Sequence, residues 1–196
     1  AFAAAPTAPG VLLSGAGGTG KSHLAMAVAS ASADYALLPL ADLARHAEPA
    51  LAAAGARALV IVDDVDAIAG QRAAEVALFD LFNRTRDAGG ALLVTASAPV
   101  IRLPIELPDL ASRLASLAQH SLAVLSDVAR RRVIHARGQA RGLDVTDEVL
   151  DFLFRRYPRD LGGLLQLLDR LDKETLVRKR RLTVQLVRDV IRDDPP

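Results

Sequence analysis

Between residues 11 and 125, short apolar runs alternate with longer stretches whose apolar positions recur at helical spacing. The runs Val11–Ser14, Tyr35–Leu40, Leu59–Val62, Ala91–Thr95 and Ser121–Leu125 have the length and aliphatic content of buried strands. Between them, helices are predicted from His23 to Ala29, from Asp42 to Ala54 with a break near Pro49, and from Gln71 to Ala88. Another is predicted around Leu110, Leu114 and Leu117, which share one face with Arg113 at its rim. Strands alternating with helices predict an α/β core, a five-stranded parallel sheet in three layers. After Ser126 the pattern holds helices alone: Asp127–Arg141 capped by Ser126, Asp147–Tyr157 capped by Thr146, Leu161 to about Arg180 capped by Asp160, and Thr183 to Arg192. This change predicts two domains, an α/β core over 1–125 and a small all-helical domain over 126–196. Residues 1–10, with Pro6, Pro9 and Gly10, read as the end of a linker.

The first candidate chemistry lies between the first strand and the first helix, where Gly15-Ala16-Gly17-Gly18-Thr19-Gly20-Lys21-Ser22 fits the phosphate-cradling pattern. Glycines let the backbone curl with its N–H groups inward, and a helix opening at Gly20 adds the positive end of its dipole. Lys21 then reaches the β and γ phosphates as a point charge, and the Ser22 hydroxyl is a magnesium ligand. Gly15 to Ser22, with the adjoining His23, are the predicted binding residues for a nucleoside di- or triphosphate.

The second candidate is Leu59-Val60-Ile61-Val62-Asp63-Asp64-Val65-Asp66. An aliphatic run ending in a carboxylate describes a central parallel strand that delivers its last residue to the carboxyl edge of the sheet, where ligands bind. Asp63 is the predicted magnesium holder of a Walker B strand. Asp64 stands where many ATPases place a glutamate to orient the attacking water, and Asp66 reads as a turn or capping residue. At the tip of the fourth strand, Thr95 and Ser97 are either γ-phosphate sensors or local hydrogen-bonding hydroxyls.

Composition narrows the alternatives. The 24 basic and 23 acidic residues leave a net charge of +1, and Tyr and Phe number only 2 and 5, with no Trp. A global field or a stacking platform for direct, sequence-specific DNA binding is therefore not expected. No apolar run approaches the roughly 20 residues that span a bilayer, and no secretory leader pattern opens the chain. Without cysteine, disulfides and zinc–thiolate sites are excluded, in keeping with a cytoplasmic protein.

Together the phosphate loop, the aspartate-ending strand, the polar strand tip, an arginine-bearing helix before the fifth strand and a helical lid resemble the AAA+ ATPases. Ile68–Arg84, LPDLASRL at 107–114, LLDRLD at 167–172 and KRRLTVQLVRDVI at 179–191 resemble more narrowly the DnaA group, the bacterial replication initiator DnaA and its shorter relative, the regulatory inactivator Hda. LPDLASRL with the LLDRLD lid favours the inactivator. The resemblance implies ADP or ATP with Mg2+ as ligands, DnaA as partner, self-association, and a role in ending replication initiation by making DnaA hydrolyse its ATP. It implies that Arg113 is an arginine finger acting on a neighbour's γ phosphate and, with Asp64, a catalytic residue. In this family a short N-terminal peptide docks on the DNA-loaded sliding clamp; residues 1–10 contain none, so such a contact belongs to a segment outside this chain. The lid arginine of the relatives falls on Gly162, with Arg159 as a possible substitute, and Ser97 stands where they carry aspartate, so weak intrinsic turnover is expected. The other readings are a helicase-loader type of motor ATPase and a truncated DnaA core.

Overall fold

The computed structural model describes residues 10–156 and 161–193, which form two compact units divided between Val124 and Leu125. In the first, β1 (Gly10–Ser14), β2 (Tyr35–Pro39), β3 (Leu59–Asp63), β4 (Ala91–Ala96) and β5 (Ala118–Ser121) pair in parallel in the order β2-β3-β4-β1-β5. The register sets Leu12 beside Val94 and Ile61 beside Leu93, so the aliphatic centres of the strands lie side by side. One face buries Leu12, Val60, Val62, Leu92 and Val94 against Leu78, Leu81 and Phe82 of α4 (Arg72–Asp87) and Leu110 and Leu114 of α5 (Pro108–Ala115). The other buries Leu13, Ile61 and Leu93 against Ala25 and Ala29 of α1 (Lys21–Ser30), whose small side chains allow close approach. This is the α/β fold with a parallel five-stranded sheet that the alternating pattern predicts.

Two elements differ from the pattern. The fifth strand is not Ser121–Leu125 but Ala118–Ser121, which is solvent-exposed throughout. An edge strand is held by backbone pairing on one side only and needs no apolar face, so its polar Ala-Gln-His-Ser sequence carried no hydrophobic signal. Leu122 adds a single further bond, its N–H donating to Ser14 O at 2.7 Å. The helical stretch after β2 breaks not at Pro49 but into α2 (Leu40–Leu43), a 3-10 turn (Ala44–His46) and α3 (Ala47–Ala53). Pro49 lies in the first turn of α3, where an N–H would have no intrahelical partner in any case.

The second unit comprises α6 (Asp127–Gln139), α7 (Asp147–Arg156), α8 (Leu161–Arg178) and α9 (Val184–Asp193). The Ser126 hydroxyl caps α6 by accepting the Ala129 N–H at 3.2 Å, and Thr183 does the same for Leu186 at 3.3 Å. The expected cap Asp160 lies outside the described residues. Ile134, Leu150, Leu153, Leu164, Leu168, Leu171 and Val187 form a separate core.

Leu168 and Leu176 share α8 but not an environment, being 0% and 73% exposed. Leu168→Ala should cost about 2–5 kcal/mol in chemical denaturation, whereas Leu176→Ala should stay within about 0.5 kcal/mol. Equal losses would mean that Leu168 is not part of a packed core.

Candidate functional site

Parallel pairing brings the carboxyl ends of β1, β3 and β4 to one edge of the sheet, where the phosphate loop, the Asp63–Asp66 segment and the Thr95–Ser97 tip follow those ends. After β1 the chain turns sharply. Gly15 N–H donates to Ala96 O at 3.1 Å, and a Cβ at Gly15 would lie 2.6 Å from Leu122 O, so no side chain fits there. Gly20 caps α1 with φ 89°, a left-handed conformation that favours glycine. Thr19 is buried and its hydroxyl donates to Ala16 O at 2.8 Å, which makes it a brace inside the loop. Among the described residues, the N–H groups of Gly18, Gly20, Lys21 and Ser22 have no carbonyl partner. These donors open the helix and make the loop an anion cradle. Lys21, only 7% exposed, lies across it and donates to Gly15 O at 2.8 Å and Ala16 O at 3.3 Å. Ser22 and His23 are exposed on the first turn of α1.

At the end of β3, Asp63 and Asp64 are held by a residue of the neighbouring strand. Thr95, fully buried, donates its hydroxyl to Asp63 Oδ1 at 2.5 Å and accepts the Asp64 N–H at 2.8 Å. One bridging hydroxyl thus fixes one oxygen of Asp63 and the backbone of Asp64. Asp64 sits at φ 55°, in the left-handed region that aspartate tolerates better than most residues. Asp66 binds the next residue along: its carboxylate accepts the Ser97 N–H at 3.0 and 2.8 Å and the Ser97 hydroxyl at 2.9 Å. Thr95 and Ser97 thus bond across strands to carboxylates 32 and 31 positions earlier in the chain rather than to nearby backbone, and Asp66, inside the 3-10 turn Val65–Ile68, ties the segment after β3 to the tip of β4. The pairing of Asp66 with Ser97 was missing from the sequence reading. Its only signal is that both residues closely follow the ends of strands, Asp66 after β3 and Ser97 after β4, and that these strands prove adjacent only in the folded sheet.

Among the described residues, no group of three or more His, Asp or Glu side chains can hold a metal. Ser22 and Asp63 nevertheless suit magnesium, which takes one or two protein oxygens and completes its shell with phosphates and water. Asp63 keeps an oxygen beyond the one that Thr95 binds.

Arg113 lies on α5, half-buried, and among the described residues its guanidinium makes no hydrogen bond or ion pair. Arg159 lies outside the described residues, and Gly162 stands in the first turn of α8. Glu75 also escaped the sequence reading. It is fully buried on the apolar face of α4, in line with Leu78 and Phe82, and a lone carboxylate at a core register position is the signal that could have found it.

Burial, then repulsion from Asp63, Asp66 and Asp42, pushes the Asp64 carboxyl above its usual range, with Lys21 opposing. A raised acid favours the folded state while protonated, and that contribution is lost as pH rises through the folded pKa. Asp64→Asn should therefore melt higher than the parent at pH 7, with the difference vanishing below about pH 4. An unchanged or lower melting temperature at pH 7 would contradict this.

The model of the ATPase family associated with various cellular activities matches residues 11–118, and that of the Hda lid domain matches residues 127–191. Domain III of the Thermotoga maritima replication initiation protein DnaA has a similar fold at 16% identity and TM-score 0.74, over 98% of this chain and 87% of that one. AMPPCP-bound DnaA from Aquifex aeolicus is similar at 19% identity and TM-score 0.64, over 88% of this chain and 59% of that one. A RuvB variant from Thermotoga maritima is similar at 18% identity and TM-score 0.60, over 94% and 61%. The chain thus spans less than two thirds of the last two proteins. No helix among the described residues is long and apolar enough to cross a membrane. With the AAA model matching more than half of its 196 residues, the chain belongs to the AAA+ ATPases and carries a lid domain of the Hda type.

Proposed function

We propose that this chain is a nucleotide-holding regulator of chromosomal replication initiation, which promotes hydrolysis of DnaA-bound ATP by presenting Arg113 to the γ phosphate. The observation that carries the reading is the Arg113 guanidinium, unengaged within its own unit, in a chain whose second unit matches the Hda lid. Arginine in the protein interior is ordinarily paired with a carboxylate. A half-buried guanidinium without one is suited to a partner's phosphate, and its planar fork stabilises the charge that develops on the transferring group.

In this reading ADP or ATP rests on the Gly15–Ser22 loop, with Lys21 exchanging its carbonyl partners for phosphate oxygens. His23 and Arg159 add contacts, and Ser22 and Asp63 hold Mg2+, which would neutralise phosphate charge. Asp64 orients water, but it is one methylene shorter than glutamate, and Gly162 offers no side chain to the phosphates. Intrinsic turnover is accordingly slow, and the nucleotide serves chiefly to organise the protein. Self-association, a contact with the DNA-loaded sliding clamp through a segment outside this chain, and a cytoplasmic location complete the proposal.

Lys21→Ala should keep a native circular dichroism spectrum but lose ADP affinity. A charged hydrogen bond is worth roughly 1.5–3 kcal/mol, so calorimetry should register a loss on the order of tenfold to a hundredfold. Unchanged affinity would remove the loop from the site.

Arg113→Ala should leave ADP affinity and melting temperature nearly unchanged. Yet it should abolish most of the stimulated hydrolysis of ATP by DnaA in an assay with clamp-loaded DNA, a loss on the order of 10³ to 10⁵ in rate. Arg113→Lys should rescue little, because a point charge does not copy the fork. Parent-like stimulation by Arg113→Ala would exclude the finger, and loss of ADP binding would put Arg113 in its own pocket.

A further inference from the structure

The helix that carries Arg113 has no cap of its own. Its N-cap position is Leu107, which offers no side-chain oxygen, and Pro108 follows in the first turn. The Leu107 N–H, one of the donors that a helix start leaves unpaired, must find its acceptor elsewhere. It finds Glu75 on α4. Leu107 N–H donates to Glu75 Oε2 at 2.7 Å, and Glu106 N–H donates to Oε1 and Oε2 at 3.1 and 3.0 Å. Oε1 also accepts the Gly70 N–H at 2.8 Å, from the turn that leaves the acidic segment after β3. The two loops approach closely, since a Cβ at Gly70 would lie 4.0 Å from Pro104 O.

One fully buried carboxylate therefore serves two helix starts, the first turn of α4 and the entry to α5, where helix dipoles favour negative charge. It also ties the loop after Asp63, Asp64 and Asp66 to the loop that launches the finger helix. We propose that Glu75 is a positioning residue for Arg113: its carboxylate holds the start of α5 against the acidic loop and thereby sets where the guanidinium is presented to the neighbouring subunit. The proposal rests on the finger reading of Arg113. Placement is where such a clamp has leverage, because a misplacement of about 1 Å in a catalytic group can cost on the order of a hundredfold in rate.

Glu75→Gln keeps the shape but turns an amide N–H toward backbone N–H donors, so part of the clamp must open. Glu106→Pro deletes one donor of the same clamp from an exposed residue in non-helical chain. The experiment is single-turnover hydrolysis of DnaA-bound ATP at saturating protein, with each variant alone and combined with Arg113→Ala. ADP affinity and the melting transition are measured in parallel. Each single variant should lower the maximal stimulated rate by about a hundredfold. The concentration for half-maximal stimulation and the ADP affinity should move by no more than about threefold, and neither variant should cause further loss in the Arg113→Ala background.

A folded Glu75→Gln protein with parent-like stimulation would overturn the proposal. So would an equal proportional loss with and without Arg113, or a loss of ADP affinity, since either would make Glu75 a general stabiliser of the core. If Glu75→Gln does not fold, Glu106→Pro decides by the same criteria, and failure of both to fold makes the carboxylate a folding residue and rejects the idea. Parent-like stimulation by Arg113→Ala alone is a different result: it removes the finger reading, and the role of Glu75 with it.

Discussion

The site depends on β4 pairing in parallel with β1 on one side and β3 on the other. Parallel strands end on the same edge, so the loops after β1 and β3 emerge on either side of the loop after β4. The phosphate loop, the Asp63–Asp66 segment and the Thr95–Ser97 tip therefore meet without any long excursion of chain. Registers set by aliphatic side chains in the middle of the sheet fix polar groups at its rim. Buried Ile61, Leu93 and Val94 thus matter to the geometry of Asp63 although they carry no chemistry.

Hydroxyl–carboxylate pairs then lock the rim. Thr95 is shared by Asp63 and Asp64, and Ser97 is held by Asp66 through both its hydroxyl and its N–H. A buried hydroxyl without a partner would be costly, and a carboxylate bound on one oxygen can turn only the other toward a ligand. Burial first, and then the neighbouring Asp63 carboxylate, makes Asp64 resist ionisation, while Lys21 opposes the shift.

Charge is divided between the two units in a way that the net value conceals. Residues 1–124 contain 8 Lys and Arg against 11 Asp and Glu, whereas residues 125–196 contain 16 against 12. In the helical unit some of the arginines are engaged: Arg131 pairs with Asp151 at 2.7 Å and lies over the Phe154 ring at 5.1 Å. A near-neutral chain can therefore be an acidic core joined to a basic helical unit, and arguments from total charge miss the difference.

The sequence by itself determined the α/β core, its strand-to-helix alternation, the phosphate loop and the aspartates that end β3. These are written in local terms: apolar runs of strand length, glycines where the chain must turn sharply, a lysine in register after them. The helices of the second unit were equally plain, because each has apolar positions at helical spacing, and Ser126 and Thr183 are caps that act over three residues. What only the tertiary structure decided is non-local. β5 is set by backbone pairing with β1, to which its polar side chains contribute no pattern. Thr95 and Ser97 reach carboxylates 32 and 31 positions earlier, and Glu75 reaches N–H groups 31 and 32 positions later. Periodicity describes one element at a time. A hydrogen bond between two elements exists only once the sheet and its helices have brought them together, so these partners could not be read from spacing alone.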